Sequence, residues 1–191
     1  MRQVLNVMRQ FTYVREQGLP LPGTVHPVKG TALLLALVTA LLLFRLGEAP
    51  LVGPDEPRYV RVAVEMHRRG DWIVPTLQGQ PWLEKPALYY WMAGAAFSLF
   101  GETETAARLP SVLAAIVLTG VTALVGARLY GGGAGLHAGF LAGTSLLVFA
   151  YGRAAAMDML LAATVSAAIT EGRRAAVSVS PNRENAAPAI Q

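Results

Sequence analysis

Three short stretches of the sequence carry side chains that could do chemistry, and each lies beside an apolar segment. They are Asp55 with Glu56, Glu84 with Lys85, and Asp158. Carboxylates orient hydroxyl or amino groups, or take a proton from an attacking nucleophile. A lysine at an interface suits a phosphate group as a point charge. Together, acids and a lysine at a membrane surface indicate a lipid-linked phosphate as substrate.

Each stretch also has an interpretation without catalysis. Asp55 and Glu56 could belong to a solvated loop after a helix. Glu84 and Lys85 could form an exposed ion pair that contributes little to stability. Asp158 could cap a helix that begins at Met159, because aspartate is a favoured N-cap residue. The residues alone leave these alternatives open.

The composition is that of a membrane protein. Of the 191 residues, 53% are hydrophobic and 15% are charged, whereas soluble domains carry roughly 25% charged residues. The absence of cysteine excludes disulfides and thiolate metal sites. The net charge of +4 is modest, and the basic residues form no stripe interleaved with aromatic residues. Nucleic acid is therefore not an expected partner.

The apolar runs predict an all-α integral membrane protein with several spanning helices. We expect residues 1–27 to form a cytoplasmic lead-in, 28–170 the membrane domain, and 171–191 a polar, unstructured tail. Between the first two spans, residues 47–108 form an extracytoplasmic loop. The predicted spans are about 28–46, 109–128, 135–151 and a partial span at 158–170.

The loop 47–108 is divided by prolines into short helices. Residues 59–69 have the pattern of a partly amphipathic helix. Residues 88–100 are apolar and aromatic, and Tyr89, Tyr90 and Trp91 are residue types that favour the membrane interface. We therefore predict a helix at 88–100 that lies in the plane of the headgroups and contacts membrane lipids.

The positions of lysine and arginine predict the orientation in the membrane. The N-terminus, the turn at Arg128 and the Arg173–Arg174 pair fall on the cytoplasmic side. The loop 47–108 and the corner at 151–158 then fall on the opposite side. The candidate carboxylates and Lys85 should accordingly converge on one non-cytoplasmic face.

Four blocks of the sequence resemble one enzyme family. In chain order they are DEPRY, GDWIVPTLQGQPWLEKPALYYW, AARLPS and YGRAAAMDM. Their order and spacing are similar to those of the polyprenyl-phosphate-dependent glycosyltransferases of the GT-C fold. Within that fold they are closest to the aminoarabinose transferases that modify lipid A, which are relatives of the protein O-mannosyltransferases. The resemblance covers about residues 30–170.

The resemblance implies an inverting glycosyltransferase of the bacterial inner membrane. Such an enzyme takes a sugar, here expected to be 4-amino-4-deoxy-L-arabinose, from undecaprenyl phosphate at the periplasmic face. The implied acceptor is lipid A, or a different acceptor if the chain is closer to the protein O-mannosyltransferases. The N-terminus would be cytoplasmic and the first loop periplasmic.

The resemblance also implies roles for individual residues. Asp55 matches the family's essential acid, which orients the nucleophile or acts as a base, and Asp158 matches the second acid. Lys85 matches the lysine that holds the donor phosphate. Glu84 matches an acid that helps some relatives to bind zinc with histidines from later in the chain; no other cofactor is implied. The remaining positions, assigned to substrate binding, are Glu56, Arg58, Tyr59 and Arg153.

The sequence departs from the family after Ile169. Family members have many more spanning helices, whereas here the apolar pattern ends within a helix. This favours the alternative of an inactive membrane fragment. A further alternative is a small transporter or lipid-binding scaffold, which would tolerate the loss of Asp55 and Lys85.

Overall fold

The computed structural model describes residues 27–179, which form seven helices and one short antiparallel hairpin. Most of the predicted lead-in 1–27 and the last twelve residues of the predicted tail lie outside this range. The elements in chain order are α1 (Pro27–Leu43), α2 (Asp55–Arg69), β1 (Thr76–Leu77), β2 (Gln80–Pro81), α3 (Leu88–Phe100), α4 (Glu104–Tyr130), α5 (Gly132–Thr144), α6 (Leu146–Gly152) and α7 (Asp158–Val179).

Helix α4 is the long element on which α1, α3, α5, α6 and α7 pack. Its start is fixed by Thr103, whose side-chain oxygen accepts a hydrogen bond from the Ala106 N–H at 3.2 Å. Its 27 residues exceed the roughly 20 that cross a bilayer. Within residues 27–179, α4 is the single unbroken helix that is long and apolar enough to do so.

Helices α5 and α6 form a bent pair where the sequence predicted one span at 135–151. The two axes differ by 56°. Ser145 causes the break, because its extended backbone ends α5 and its hydroxyl accepts a hydrogen bond from the Val148 N–H at 3.3 Å. The pair reaches the length of a membrane span only when both helices are counted together.

The described residues thus contain one or two helices of spanning length, fewer than the three complete spans that the sequence predicted. Helix α1 is apolar but has 17 residues, short of a bilayer. Helix α3 has the bounds predicted for the apolar helix in the loop. Helix α7 continues to Val179, nine residues past the predicted end at 170, because the alanines and arginines there are good helix formers.

Small residues bring α5 close to α4. A Cβ atom on Gly135 would lie 2.5 Å from the Ala123 carbonyl oxygen and 2.6 Å from the Ala127 Cβ. A Cβ atom on Gly139 would lie 2.8 Å from the Ala123 Cβ. Contacts between small residues are typical of helix pairs in membranes. The two backbones therefore approach so closely that these positions have no room for a side chain.

Replacing Gly135 by alanine should push α5 away from α4 and lower the free energy of unfolding by about 1–3 kcal/mol, the usual cost of overpacking a core. Gly133→Ala on the same helix is the matched control, since nothing lies within 4 Å of a Cβ there. Because alanine favours helix more than glycine, the control should be neutral or stabilising. Thermal unfolding of the detergent-solubilised protein measures both, and equal midpoints would contradict the prediction.

Candidate functional site

A cavity of about 300 Å³ lies where α2, the start of α3 and the start of α7 meet. Its polar lining includes Tyr59 from α2, Lys85 from the segment before α3, and Asp158 from the first turn of α7. Much of the remaining wall is apolar, including Leu160 and Leu161. The structure therefore brings Lys85 and Asp158 together, as the sequence predicted, along with Tyr59, which the resemblance assigned to substrate binding.

Asp158 occupies the first position of α7. The helix begins at this residue, where the negative charge of the carboxylate complements the helix N-terminus. Asp158 can therefore stabilise the start of α7 and also take part in the cavity. Within the described range, no ion pair joins Glu84 to Lys85, so the ammonium group of Lys85 is not neutralised by its neighbour.

Asp55 is near the cavity without lining it. It is the first residue of α2 and precedes Tyr59 by one turn. Its carboxylate is exposed and lies 3.5 Å from the guanidinium group of Arg58. That guanidinium group in turn stands 5.7 Å from the ring centre of Trp82, a cation–π contact. Asp55 and Arg58 thus form an exposed charged pair at the N-terminal end of the helix that carries Tyr59.

Tyr89 and Tyr90 belong to the core, although the sequence placed them at the membrane interface. They are 1% and 0% exposed. The Tyr89 hydroxyl donates a hydrogen bond to the Ala107 carbonyl at 3.0 Å, and the ring meets Tyr59 edge to face with 6.4 Å between centroids. Burial raises the pKa of the Tyr89 hydroxyl. This tyrosine is consequently a neutral, fixed part of the cavity wall.

The resemblance assigned Glu56 to substrate binding. In the structure its side chain is buried, bonds to other parts of the protein and does not line the cavity. Its side chain accepts hydrogen bonds from the Val52 N–H at 2.7 Å and from the Ala155 N–H at 2.5 Å. Its carboxylate also lies 3.4 Å from the guanidinium group of Arg108. Both carboxylate oxygens are therefore engaged within the protein, and Glu56 does not face the cavity.

Arg108, which the sequence analysis did not single out, is the partner of Glu56 and is 3% exposed. Its guanidinium group donates to the carbonyls of Leu46, Ala49 and Pro50 at 2.8, 2.8 and 2.9 Å. A buried arginine needs such acceptors, since an unpaired buried charge is costly. In the sequence, the signal for a buried charge at this position was that Arg108 is the one charged residue in the otherwise apolar run that follows Ala106.

Arg153, also assigned to substrate binding, lies at the end of α1. It donates hydrogen bonds to the carbonyls of Leu42 at 2.9 Å and Phe44 at 2.6 Å. The last carbonyls of a helix lack intrahelical partners and carry a partial negative charge. Arg153 therefore caps α1, and it is not among the residues that line the cavity.

Glu84 is exposed in the segment that joins β2 to α3. Within residues 27–179 no group of three or more His, Cys, Asp or Glu side chains could hold a metal ion. In the part of the chain that the structure describes, Glu84 therefore belongs to no cluster that could hold zinc.

The hairpin that precedes Lys85 is held on α2 by Glu65. The Glu65 carboxylate accepts hydrogen bonds from the N–H groups of Gln78 at 2.9 Å and Gly79 at 3.2 Å, and from the Thr76 hydroxyl at 3.0 Å. Desolvation acts to raise the pKa of Glu65, but these hydrogen bonds and one from Arg61 outweigh it and hold the pKa below its usual value. The ionised carboxylate thus fixes the turn before the Lys85 segment.

Replacing Glu65 by glutamine should release this turn and lower the protection of the Gln78 and Gly79 amides from hydrogen exchange by about tenfold. In the parent chain, a lowered pKa means that the stabilisation is complete above the ordinary pKa and is lost as the pH falls through the folded-state value. Protection factors should therefore drop below about pH 4.5. Asp71→Asn is the control, because the Asp71 carboxylate accepts the N–H groups of Ile73 and Val74 and pairs with Arg69 but does not contact Gln78 or Gly79. Equal loss in both variants would contradict the assignment.

Known proteins are similar to this chain in sequence and in fold. The dolichyl-phosphate-mannose-protein mannosyltransferase family matches residues 84–180. An undecaprenyl phosphate-alpha-4-amino-4-deoxy-L-arabinose arabinosyl transferase from Serratia proteamaculans is 44% identical over 100 residues, which is 51% of this chain and 17% of that protein. The corresponding protein from Pectobacterium carotovorum is 32% identical over 152 residues, covering 73% of this chain and 25% of that protein.

The fold is similar to that of ArnT from Cupriavidus metallidurans. The crystal structure of its apo state matches with a TM-score of 0.67 and 29% identity, over 71% of this chain and 25% of that chain. The structure bound to undecaprenyl phosphate matches with a TM-score of 0.62 over the same shares. In all these comparisons the chain spans a quarter or less of the length of the protein that it matches.

Proposed function

The chain belongs to the dolichyl-phosphate-mannose-protein mannosyltransferase family, and we propose that it supplies the N-terminal part of a membrane glycosyltransferase with a polyprenyl-phosphate sugar donor. The observation that carries this proposal is the cavity in which Lys85 and Asp158 face a largely apolar wall. A lysine, a carboxylate and an apolar surface match the three parts of a lipid-linked sugar: phosphate, sugar and hydrocarbon.

In this proposal Lys85 binds the donor phosphate. The ammonium group is a compact point charge with rotatable donors, which suits a phosphate oxygen. No carboxylate of the described residues pairs with it, so its charge is available to the ligand. The isoprenoid chain would then contact the apolar wall that includes Leu160, Leu161 and Leu88.

The proposed reaction is a single displacement with inversion. A bond forms between the acceptor oxygen and the anomeric carbon, while the bond from that carbon to the phosphate oxygen breaks. The polyprenyl phosphate leaves with the electron pair, and Lys85 stabilises the charge that develops on it. Because phosphate is a good leaving group, no strong general acid is needed.

Asp55 and Asp158 are assigned to the acceptor and the sugar. A hydroxyl acceptor must lose a proton, and a carboxylate can take it. A phosphate acceptor is already an anion, so a carboxylate would only orient it or the sugar. We assign Asp158 to the sugar because it lines the cavity with Lys85, and Asp55 to the incoming nucleophile because it is exposed one turn from Tyr59.

For the substrates, we propose transfer of 4-amino-4-deoxy-L-arabinose from undecaprenyl phosphate to lipid A. The names of the similar arabinosyl transferases support the sugar and the donor. The ArnT structure bound to undecaprenyl phosphate supports the same lipid. The match to the mannosyltransferase family supports a second candidate for the acceptor, which is a hydroxyl group of another periplasmic molecule.

The chain is a helical membrane protein, as the fold comparison and the apolar helix α4 indicate. We propose that it resides in the bacterial inner membrane with a cytoplasmic N-terminus and a periplasmic first loop. Tyr59, Lys85 and Asp158 line one cavity, which supports placing the loop 47–108 and the start of α7 on the same side of the membrane. We also propose that the chain has more than the one or two spans described above, and that α3 lies in the plane of the headgroups.

Zinc does not enter the proposed mechanism. Glu84 is exposed and, within residues 27–179, has no cluster of further ligands around it. The described residues alone therefore do not fit a zinc ion, and no step of the displacement needs one.

The test is transfer from an undecaprenyl-phosphate sugar donor to lipid A in membranes of cells that lack their own transferase. The chain would be assayed as given, as Asp55→Ala, and extended through any downstream reading frame that restores the apolar pattern. Activity that disappears in Asp55→Ala supports the proposal. Activity in the extended form alone would mean that these residues hold part of a larger site. No transfer in any form would favour an inactive fragment or a lipid-binding scaffold.

A further inference from the structure

We propose that Glu56 and Arg108 form a positioning clamp that fixes the segment carrying Asp55 against the segment carrying Asp158. We call this pair the Glu56–Arg108 clamp. Its catalytic consequence rests on the proposed function, whereas its effect on the distance between the two segments does not. The clamp gives Glu56 a role other than the substrate contact that the resemblance implied.

The first half of the clamp is the Glu56 side chain, which joins both segments directly. Glu56 is the neighbour of Asp55 in the first turn of α2. One carboxylate oxygen accepts the N–H of Ala155 at 2.5 Å, across 99 residues of sequence, and Ala155 is three residues before Asp158. The other oxygen accepts the N–H of Val52 at 2.7 Å. One carboxylate thus connects the approach to α2 with the approach to α7.

The second half is Arg108, which holds the chain that leads into α2. Its three carbonyl contacts immobilise residues 46–50, and its guanidinium group lies 3.4 Å from the Glu56 carboxylate. Beside this buried positive charge at the start of α4, the Glu56 carboxylate has two acceptor oxygens and accepts one N–H group at each. A neutral amide at position 56 could not do this.

Helix packing connects α2 to α7 indirectly, through α3 and α4. The main contacts of α2 are with α3 and β1, whereas the main contacts of α7 are with α4 and α6. The hydrogen bond between Glu56 and Ala155 adds a direct link between the first turn of α2 and the segment that leads into α7. Buried ion pairs are poor sources of stability but can specify a unique arrangement.

A distance measurement tests the clamp without any substrate. The chain has no cysteine, so Val52→Cys and Val165→Cys, which are 65% and 47% exposed in the parent, accept spin labels specifically. The full chain would be measured in lipid nanodiscs by pulsed electron paramagnetic resonance. We expect a narrow distribution of label distances in the parent and a broadened or shifted one in Glu56→Gln, because one amide hydrogen must face an N–H group.

Two further variants make the outcome decisive. Glu48→Gln is the matched control, since the side chain of Glu48 pairs with the exposed Arg45, and its distribution should equal that of the parent. Arg108→Lys keeps the charge but has fewer donors for the carbonyls, so its distribution should be intermediate. An unchanged distribution in folded Glu56→Gln overturns the proposal. If Glu56→Gln does not fold, an unchanged distribution in Arg108→Lys overturns it.

The kinetic consequence separates positioning from substrate contact. In a transfer-competent form of the protein, Glu56→Gln should lower kcat on the order of 10²-fold, as expected for a misplaced reacting group, with little change in the KM for the donor. A raised KM with an unchanged kcat would assign Glu56 to donor binding and overturn the positioning role. If no form transfers sugar, the proposed function fails while the label distances still decide on the clamp.

Discussion

Replacing Arg108 by methionine should lower the free energy of unfolding by about 3–5 kcal/mol, the cost of removing one partner from a buried ion pair. The loss is large because the Glu56 carboxylate would remain buried without its counter-charge. In addition, the carbonyls of residues 46–50 would lose their donors. Chemical unfolding of the solubilised protein, followed by far-ultraviolet circular dichroism, measures the difference.

The control is Arg128→Met, which removes an exposed arginine near the other end of α4 and should change stability by less than about 0.5 kcal/mol. A second test is the double variant Glu56→Gln with Arg108→Met. Because the double variant leaves no unpaired buried charge, its cost should be less than the sum of the two single costs. Strict additivity would show that the two side chains act independently.

In a transfer-competent form of the protein, replacing Lys85 by alanine should lower kcat/KM for sugar transfer on the order of 10²-fold, because in the proposed mechanism the leaving phosphate would lose the cation that stabilises it. Affinity for undecaprenyl phosphate itself should fall as well, since the phosphate is present in the free lipid. Both quantities would be measured on the same membranes, by transfer assay and by competition with the unglycosylated lipid. Lys85→Arg should recover part of the affinity through its charge.

The sequence offers a well-matched control for this experiment. Lys29 and Lys85 are the two lysines of the chain, and Lys29 lies near the start of α1, away from the residues that line the cavity. Lys29→Ala should therefore leave both transfer and lipid affinity unchanged. If both lysine variants lose activity equally, the effect reflects general binding to anionic membranes and not a phosphate site.

The sequence pattern predicted structural features that are determined by residues close to one another in the chain. The bounds of α3 follow from an uncharged run between Pro86 and Gly101, and the structure confirms them. The common location of Lys85 and Asp158 followed from assigning both to the same side of the membrane, and the shared cavity agrees with it. The assignment of Asp55, Lys85 and Asp158 to catalysis remains a prediction.

The features that sequence pattern missed depend on contacts between distant segments. The burial of Glu56 rests on Ala155 and Arg108, which are 99 and 52 residues away. Tyr89 resembles an interfacial anchor by residue type, but its hydroxyl finds a partner at Ala107, 18 residues on. The bend at Ser145 depends on a single hydroxyl inside an apolar run. Periodicity does not encode any of these partners.

The capping of α1 by Arg153 also has a consequence for biosynthesis. The carbonyls that Arg153 binds precede it by 108 to 112 residues. At the usual rates of synthesis, this interval corresponds to roughly 5–20 s. During that time these carbonyls lack their Arg153 partner, and the carbonyls of Leu46, Ala49 and Pro50 lack Arg108 until it too is synthesised. The end of α1 can therefore reach its final arrangement only after Arg153 has been synthesised.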